Sequence, residues 1–174
     1  MKRTLYLFMM MAGLFLTACE KDEVGSTATE KVAGEWYVTV DLVNADGSLV
    51  YTGEEFFALG KFFVNTYNTA ANVSNEMWVD DLGNFWDFKV KTQSDVNALT
   101  FMTNGAVANT SYEGCDVTIT EGKILPKAAT TPHGTPADSI VFYVSFSDDD
   151  YPDKYGYDKY KISGYRYTGL ASDD

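Results

Sequence analysis

Apolar and polar residues alternate along most of the chain after Gly34, with the two-residue period that is typical of half-buried strands. The alternation is clearest from Trp36 to Leu42 and from Phe85 to Thr92. Further strands are predicted for residues 56–67, 77–79, 99–103, 115–120, 140–146 and 160–168. No long segment of the sequence has the 3.6-residue period of a helix. The pattern therefore predicts an all-β domain.

Short turns separate these strands. Asp46-Gly47 suits a tight hairpin because this pair tolerates positive φ, and Asp81–Asn84 is predicted to join the next two strands. Glu121–Lys123 predicts another turn and Pro126–Asp138 a loop. Seven to nine strands with such connections indicate an antiparallel meander, which either closes into a barrel or stacks as a sandwich. The short sequential turns favour a barrel of about eight strands.

The segment from Phe56 to Tyr67 is long and rich in aromatic residues, and it contains Gly60, where a bulge would bend a strand. It is predicted as one bent strand or as two. Cys115 alternates in phase with Val117 and is predicted to be a small residue of the core.

The first residues have a different pattern. Two basic residues precede an apolar run of twelve, Leu5 to Leu16, which matches a secretory signal peptide and is too short to span a bilayer. Residues 16–19, Leu-Thr-Ala-Cys, resemble the lipobox of bacterial lipoproteins, whose cysteine thiol receives a diacylglycerol before cleavage. We therefore expect residues 1–18 to be removed and a lipid on Cys19 to anchor the chain to a membrane.

Lys21, Asp22 and Glu23 follow the cysteine and resemble the export signal that sends lipoproteins of Bacteroidota to the outer face of the outer membrane. This resemblance implies a location at the cell surface, and the periplasmic face is the alternative. Residues 19–31 are small or charged and predict a flexible acidic tether. The barrel domain is then expected over residues 32–170, with a short tail at residues 171–174.

Charge limits the partners of this domain. Without residues 1–18 the chain has eleven basic and 25 acidic residues, a net charge of −14. Such an excess disfavours nucleic acid, because phosphates would meet like charge. Cys19 and Cys115 are the only cysteines, so a lipid on Cys19 leaves no intramolecular disulfide. Stability must come from the apolar core.

Gly34-Glu35-Trp36 opens the first strand and Arg166 lies in the last, an arrangement that resembles lipocalins and other calycins. In those barrels the arginine packs across the indole and closes one end, a contact worth about 0.5 to 2 kcal/mol. Together with residues 138–142 and 162–169, the motif resembles a family of Bacteroidota lipoproteins, the lipid-binding putative hydrolases, over Gly34 to Gly169. This resemblance implies a calycin-like barrel that binds a lipid or another small apolar ligand.

Hydrolysis is the third hypothesis, and it rests on the family name. The only histidine, His133, lies in a loop near Asp138 and Ser139, and the sequence has no Gly-x-Ser-x-Gly elbow. Neighbours in a chain seldom form triad geometry, so His133 is only a candidate base. The sequence favours a binding protein over an enzyme.

The acidic loop that contains Asp148, Asp150 and Asp153 carries candidate ligands for a metal ion, because carboxylate oxygens suit Ca²⁺. The spacing does not match an EF-hand, so we expect neither a metal nor another cofactor. The loop is then an acidic hairpin tip.

Aromatic residues are abundant, with 23 Phe, Trp and Tyr after residue 18. They are expected to fill the core or to line a pocket. A second function hypothesis, the recognition of a glycan or a protein at the surface, rests on an exposed platform of six tyrosines. These are Tyr151, Tyr155, Tyr157, Tyr160, Tyr165 and Tyr167.

Overall fold

The computed structural model describes residues 26–170. The predicted signal peptide, Cys19, the export-signal residues Lys21, Asp22 and Glu23, and the tail 171–174 lie outside the described residues. Among the residues from 26 to 170, no helix is long and apolar enough to cross a membrane.

Ten strands and two five-residue helices make up the described chain. The strands are β1 (Gly34–Val43), β2 (Leu49–Thr52), β3 (Phe62–Asn68), β4 (Glu76–Asp80), β5 (Lys89–Asp95), β6 (Thr100–Met102), β7 (Val107–Ala108), β8 (Asp116–Thr130), β9 (Pro136–Phe146) and β10 (Lys159–Arg166). The helices are α1 (Gly53–Phe57) and α2 (Tyr151–Tyr155).

Eight of the strands close into an antiparallel barrel in the order β1-β3-β4-β5-β6-β8-β9-β10, and β10 pairs again with β1. This seam runs from Trp36 opposite Arg166 to Val43 opposite Lys159. β2 pairs with the end of β1, and β7 pairs with the start of β8, outside the ring. The prediction of an all-β, calycin-like barrel of about eight strands is confirmed.

Side chains from the strands fill the interior. The largest of them, each less than 2% exposed, include Trp36, Phe88, Phe101, Phe142 and Tyr160. Cys115 is also buried, as expected of a core residue. The interior of the barrel is therefore occupied by packed protein.

The prediction of strand structure from Phe56 onward is wrong at its start. Residues 53–57 form α1, which begins at a capping box in which Thr52 and Glu55 bond each other's backbone N–H groups. Ala58 ends the helix with a left-handed φ of 53°, and β3 begins only at Phe62.

Two predicted connections in the second half are shorter than expected. Glu121–Lys123 is a bulge within β8 and not a turn, with Glu121 at φ 55°. The predicted loop 126–138 is mostly strand, because β8 continues to Thr130 and β9 starts at Pro136. Ladder pairing between Ala129 and Ala137 holds this hairpin together.

The domain begins earlier than the predicted boundary at residue 32. Residues 27–33 form hydrogen-bonded turns across one end of the barrel, where Thr29 and Val32 are fully buried. The last part of the predicted tether is thus part of the folded domain.

Candidate functional site

The end of the barrel covered by residues 27–33 is closed by Trp36 and Arg166. The Arg166 Cζ atom lies 4.4 Å from the centroid of the indole ring, and Arg166 Nη1 donates to the Ala33 carbonyl at 2.7 Å. Trp36 Nε1 donates to Thr66 Oγ1 at 2.9 Å, and Thr66 in turn donates to the Val32 carbonyl at 2.7 Å. The structure therefore brings together the two residues that the sequence assigned to barrel closure.

A cavity of about 650 Å³ opens beside this closed end. It is lined by Glu30, Lys31, Leu99, Pro126, Asp138 and Arg166. Asp138 Oδ2 pairs with Arg166 Nε at 3.4 Å, so its most prominent charges already neutralise each other.

The opposite end of the barrel carries a layer of aromatic side chains, which we call the aromatic mouth. Its members are Phe56, Phe57, Phe85, Trp86, Tyr112, Phe146, Tyr151, Tyr155, Tyr157 and Tyr160. They come from α1, from the β4–β5, β7–β8 and β9–β10 connections, and from the ends of β9 and β10. Residues far apart in the sequence therefore meet at this one end.

The mouth is graded from a buried base to an open top. Trp86 stacks on the buried Phe146 with ring centroids 4.8 Å apart and planes at 8°. Phe56 meets Tyr155 edge to face at 4.8 Å. Tyr160 is fully buried, whereas Tyr155 is 40% exposed. The upper rings thus present apolar surface to solvent.

Asp81 holds the β4–β5 connection that supplies part of the mouth. This fully buried carboxylate accepts backbone N–H bonds from Gly83, Phe85, Trp86 and Phe88 at 2.8 to 3.1 Å. Burial raises the pKa of Asp81, and these four bonds oppose that rise. These hydrogen bonds fix the positions of Phe85 and Trp86, although neither residue lies in a helix or a strand.

Asp148 lies at the rim of the mouth and contacts its rings. Its Oδ1 accepts from Trp86 Nε1 at 3.2 Å, and its Oδ2 accepts from the Tyr112 hydroxyl at 2.7 Å. Burial alone would raise the pKa of Asp148, but hydrogen bonds from Tyr112, Cys115 and Trp86 bring it below its usual value. Asp148 is therefore ionised at neutral pH.

A second carboxylate reaches the base of the mouth. Asp149 Oδ2 accepts from the Tyr160 hydroxyl at 2.7 Å, and the hydroxyls of Tyr160 and Tyr157 lie 2.5 Å apart. Burial raises the pKa of both tyrosines, so their hydroxyls keep their protons. At the base of the mouth, two hydroxyl groups and a carboxylate are thus linked by hydrogen bonds beneath the apolar rings.

The candidates for hydrolysis lie at the other end. His133 is exposed in the five-residue β8–β9 turn. Ser139 Oγ donates to the Gly164 carbonyl at 2.7 Å, and Asp138 accepts from Arg166 and from the Lys127 backbone N–H. Ser139 and Asp138 therefore serve the packing of strands, and the structure does not present them as a nucleophile and its orienting acid.

Within residues 26–170, no three His, Cys, Asp or Glu side chains form a group that could hold a metal ion. Of the three aspartates considered for calcium, Asp148 bonds Trp86 and Tyr112. Asp150 precedes α2, and Asp153 lies exposed within it.

The six tyrosines of the predicted platform divide between two places. Four of them, Tyr151, Tyr155, Tyr157 and Tyr160, belong to the aromatic mouth. Tyr165 and Tyr167 lie on the outer wall, where Tyr165 contacts Tyr37 and Tyr167 contacts Phe63 with centroids 6.1 and 5.0 Å apart. The six therefore do not form one surface.

Several mouth residues were not recognised as site residues in the sequence. Phe56 and Phe57 were assigned to a strand, although Thr52 and Glu55 have the spacing of a capping box. Phe85 and Phe146 lie at the ends of predicted strands. Nothing local in the sequence indicates that these rings meet.

A closed eight-stranded barrel with a half-buried aromatic layer over one end belongs to the class of small barrels suited to apolar ligands. The family model described as lipid-binding putative hydrolase matches residues 21–171, and the chain belongs to this family. No curated protein matches the chain significantly.

Proposed function

We propose that this protein is a membrane-anchored lipoprotein that binds a lipid, or another small apolar ligand with an alkyl chain, at the aromatic mouth. The family description and the barrel both fit lipid binding. The observation that carries the proposal is the half-buried aromatic layer, because it offers apolar surface at one end of an otherwise filled barrel.

The upper part of the mouth is the best place for such a ligand. Trp36, Phe88 and Phe142 already occupy the interior, and a chain there would have to displace them. Between α1 and α2, a ligand needs only to part the outer rings of Phe56, Tyr151 and Tyr155. Each CH₂ group buried among these rings gains about 0.8 kcal/mol.

The anchor is proposed to be a lipid on Cys19, on the evidence of the lipobox at residues 16–19, and the location to be the outer membrane, exposed at the cell surface. The periplasmic face is the alternative location. Residues 27–33 join the barrel at its closed end. In this arrangement the tether meets the barrel at the end opposite the mouth. Kinship with calycins is also proposed, on the Trp36–Arg166 contact.

A matched pair of tryptophan substitutions tests the site. We expect Trp86→Leu to weaken binding of the neutral probe N-phenyl-1-naphthylamine by about tenfold or more, because Trp86 forms the wall of the mouth. Trp78→Leu is the control, since Trp78 lies half-buried on β4 beneath Lys89 and Lys91. Probe fluorescence and native mass spectrometry give the two readouts.

The proposal fails if the unaltered protein binds neither the probe nor a copurifying lipid. It also fails if both variants weaken binding equally while circular dichroism shows both folded, because the mouth would then have no special role.

A further inference from the structure

The net charge of the described residues is concentrated at the aromatic mouth. Residues 26–170 hold 20 acidic and ten basic residues, a net charge of −10. Five connections at the mouth end, residues 44–48, 53–61, 81–88, 103–115 and 147–158, hold eleven of the acidic residues and two lysines, a net charge of −9. The rest of the barrel is therefore almost neutral. Such an asymmetry attracts cations to one end and repels anions from it.

The carboxylates at the mouth are placed directly against the rings. Asp148 and Asp149 bond Trp86 and Tyr160, while Asp150 stands exposed just before α2. Glu54 is exposed on α1, the helix that also carries Phe56. An anionic head group above the rings would meet the negative charge of these aspartates.

One ammonium group already lies on a ring of the mouth. Lys154 Nζ is 5.0 Å from the centroid of Tyr155, within the range of a cation–π contact. A hydrogen bond with Tyr155, together with the nearby Asp150, raises the pKa of Lys154. The surroundings of these rings therefore favour a positive charge.

We infer that the aromatic mouth selects amphiphiles with a cationic, ammonium-type head group and disfavours fatty-acid-like anions. The alkyl chain lies among the outer rings, and the ammonium group lies over ring faces beside the carboxylates of the rim. This inference rests on the proposed function, and it adds the class of ligand that the site takes.

Three amphiphiles with twelve-carbon chains test the selection. They are dodecyltrimethylammonium, the uncharged tetraethylene glycol dodecyl ether and dodecanoate, each titrated below its micellar concentration and followed by calorimetry. We expect the cation to bind about tenfold more tightly than dodecanoate at low salt, and the difference to shrink at high salt because ions screen exposed charges.

A charge-matched pair of variants locates the effect. Asp150→Asn with Asp153→Asn removes two exposed mouth carboxylates, and we expect it to reduce the preference for the cation about threefold or more. Glu30→Gln with Glu35→Gln removes the same charge from exposed positions at the closed end, and we expect the preference to be unchanged.

Equal affinity for the three amphiphiles, or tightest binding of dodecanoate, overturns the inference and leaves the proposed function standing. An equal effect of both double variants also overturns it, because the preference would then reflect overall charge. If no amphiphile binds, the proposed function and this inference fail together.

Discussion

At the scale of single residues, Gly164 decides how closely the two terminal strands of the barrel approach. A Cβ atom at this position would lie 2.1 Å from the Tyr37 carbonyl oxygen and 2.6 Å from the Val38 Cα atom. Both are backbone atoms of β1, so they cannot move aside without shifting the strand. The seam therefore requires a residue without a side chain here.

We expect Gly164→Ala to lower the free energy of unfolding by about 3 kcal/mol, because the added methyl group overpacks the seam. Gly60→Ala is the matched control, since nothing lies within 4 Å of its Cβ position, and it should change stability by less than about 1 kcal/mol. Urea unfolding followed by tryptophan fluorescence measures both. A Gly164→Ala protein as stable as the wild type would contradict the close approach of β1 and β10.

Closure of one end of the barrel by Trp36 and Arg166 could be expected from the resemblance of Gly34-Glu35-Trp36 and Arg166 to calycins. A guanidinium over an indole face is a favourable contact that gives such a closure a physical basis. The role of Asp81 could not be predicted in this way. Its function depends on four backbone N–H groups, and these carry no sequence signature.

At the scale of elements, α1 depends on its capping box. Hydrogen bonds from the backbone and side chain of Thr52 lower the pKa of Glu55 below its usual value. A carboxyl whose pKa is lower in the folded state contributes stability above its unfolded pKa, and loses it as the pH falls through the folded pKa.

We expect Thr52→Ala to destabilise the protein by about 1 kcal/mol at pH 7, because α1 loses its N-cap. The difference from the wild type should narrow as the pH falls through the lowered pKa of Glu55, because protonation of Glu55 opens the box in the wild type as well. Urea unfolding over this range of pH is the measurement. A difference that stays constant with pH would show that Glu55 takes no part.

The strands were predictable where burial alternates regularly, as in β1 and β5. The prediction was wrong where backbone packing decides. Gly122 is typical of a turn in the sequence, yet it lies within β8. A Cβ atom at this position would come within 2.4 Å of the Phe101 carbonyl oxygen, so the close approach of the backbones requires glycine here. The mouth was not predictable either, because its rings come from four separate connections and from the ends of β9 and β10, and each supplies only a few of them.

At the scale of the whole molecule, residues 27–33 cover the closed end of the barrel. The Val32 carbonyl accepts from Thr66, and the Ala33 carbonyl accepts from Arg166. We expect a chain of residues 26–170 to unfold at the same urea concentration as residues 19–174. A chain that starts at Gly34 should lose about 3 kcal/mol or more, because Trp36 and Arg166 lose their cover. Equal stability of the two shortened chains would show that the segment is dispensable.

The pairing of β1 with β10 also affects how fast the protein folds. Trp36 and Arg166 face each other across the seam, although 130 residues separate them in the chain. Contacts between such distant segments are slow to form, and all-β domains dominated by them fold in milliseconds to seconds. Until the last strand arrives, the sheet has two open edges that can pair with other chains. A cell that makes this protein must therefore keep its nascent copies apart during that interval.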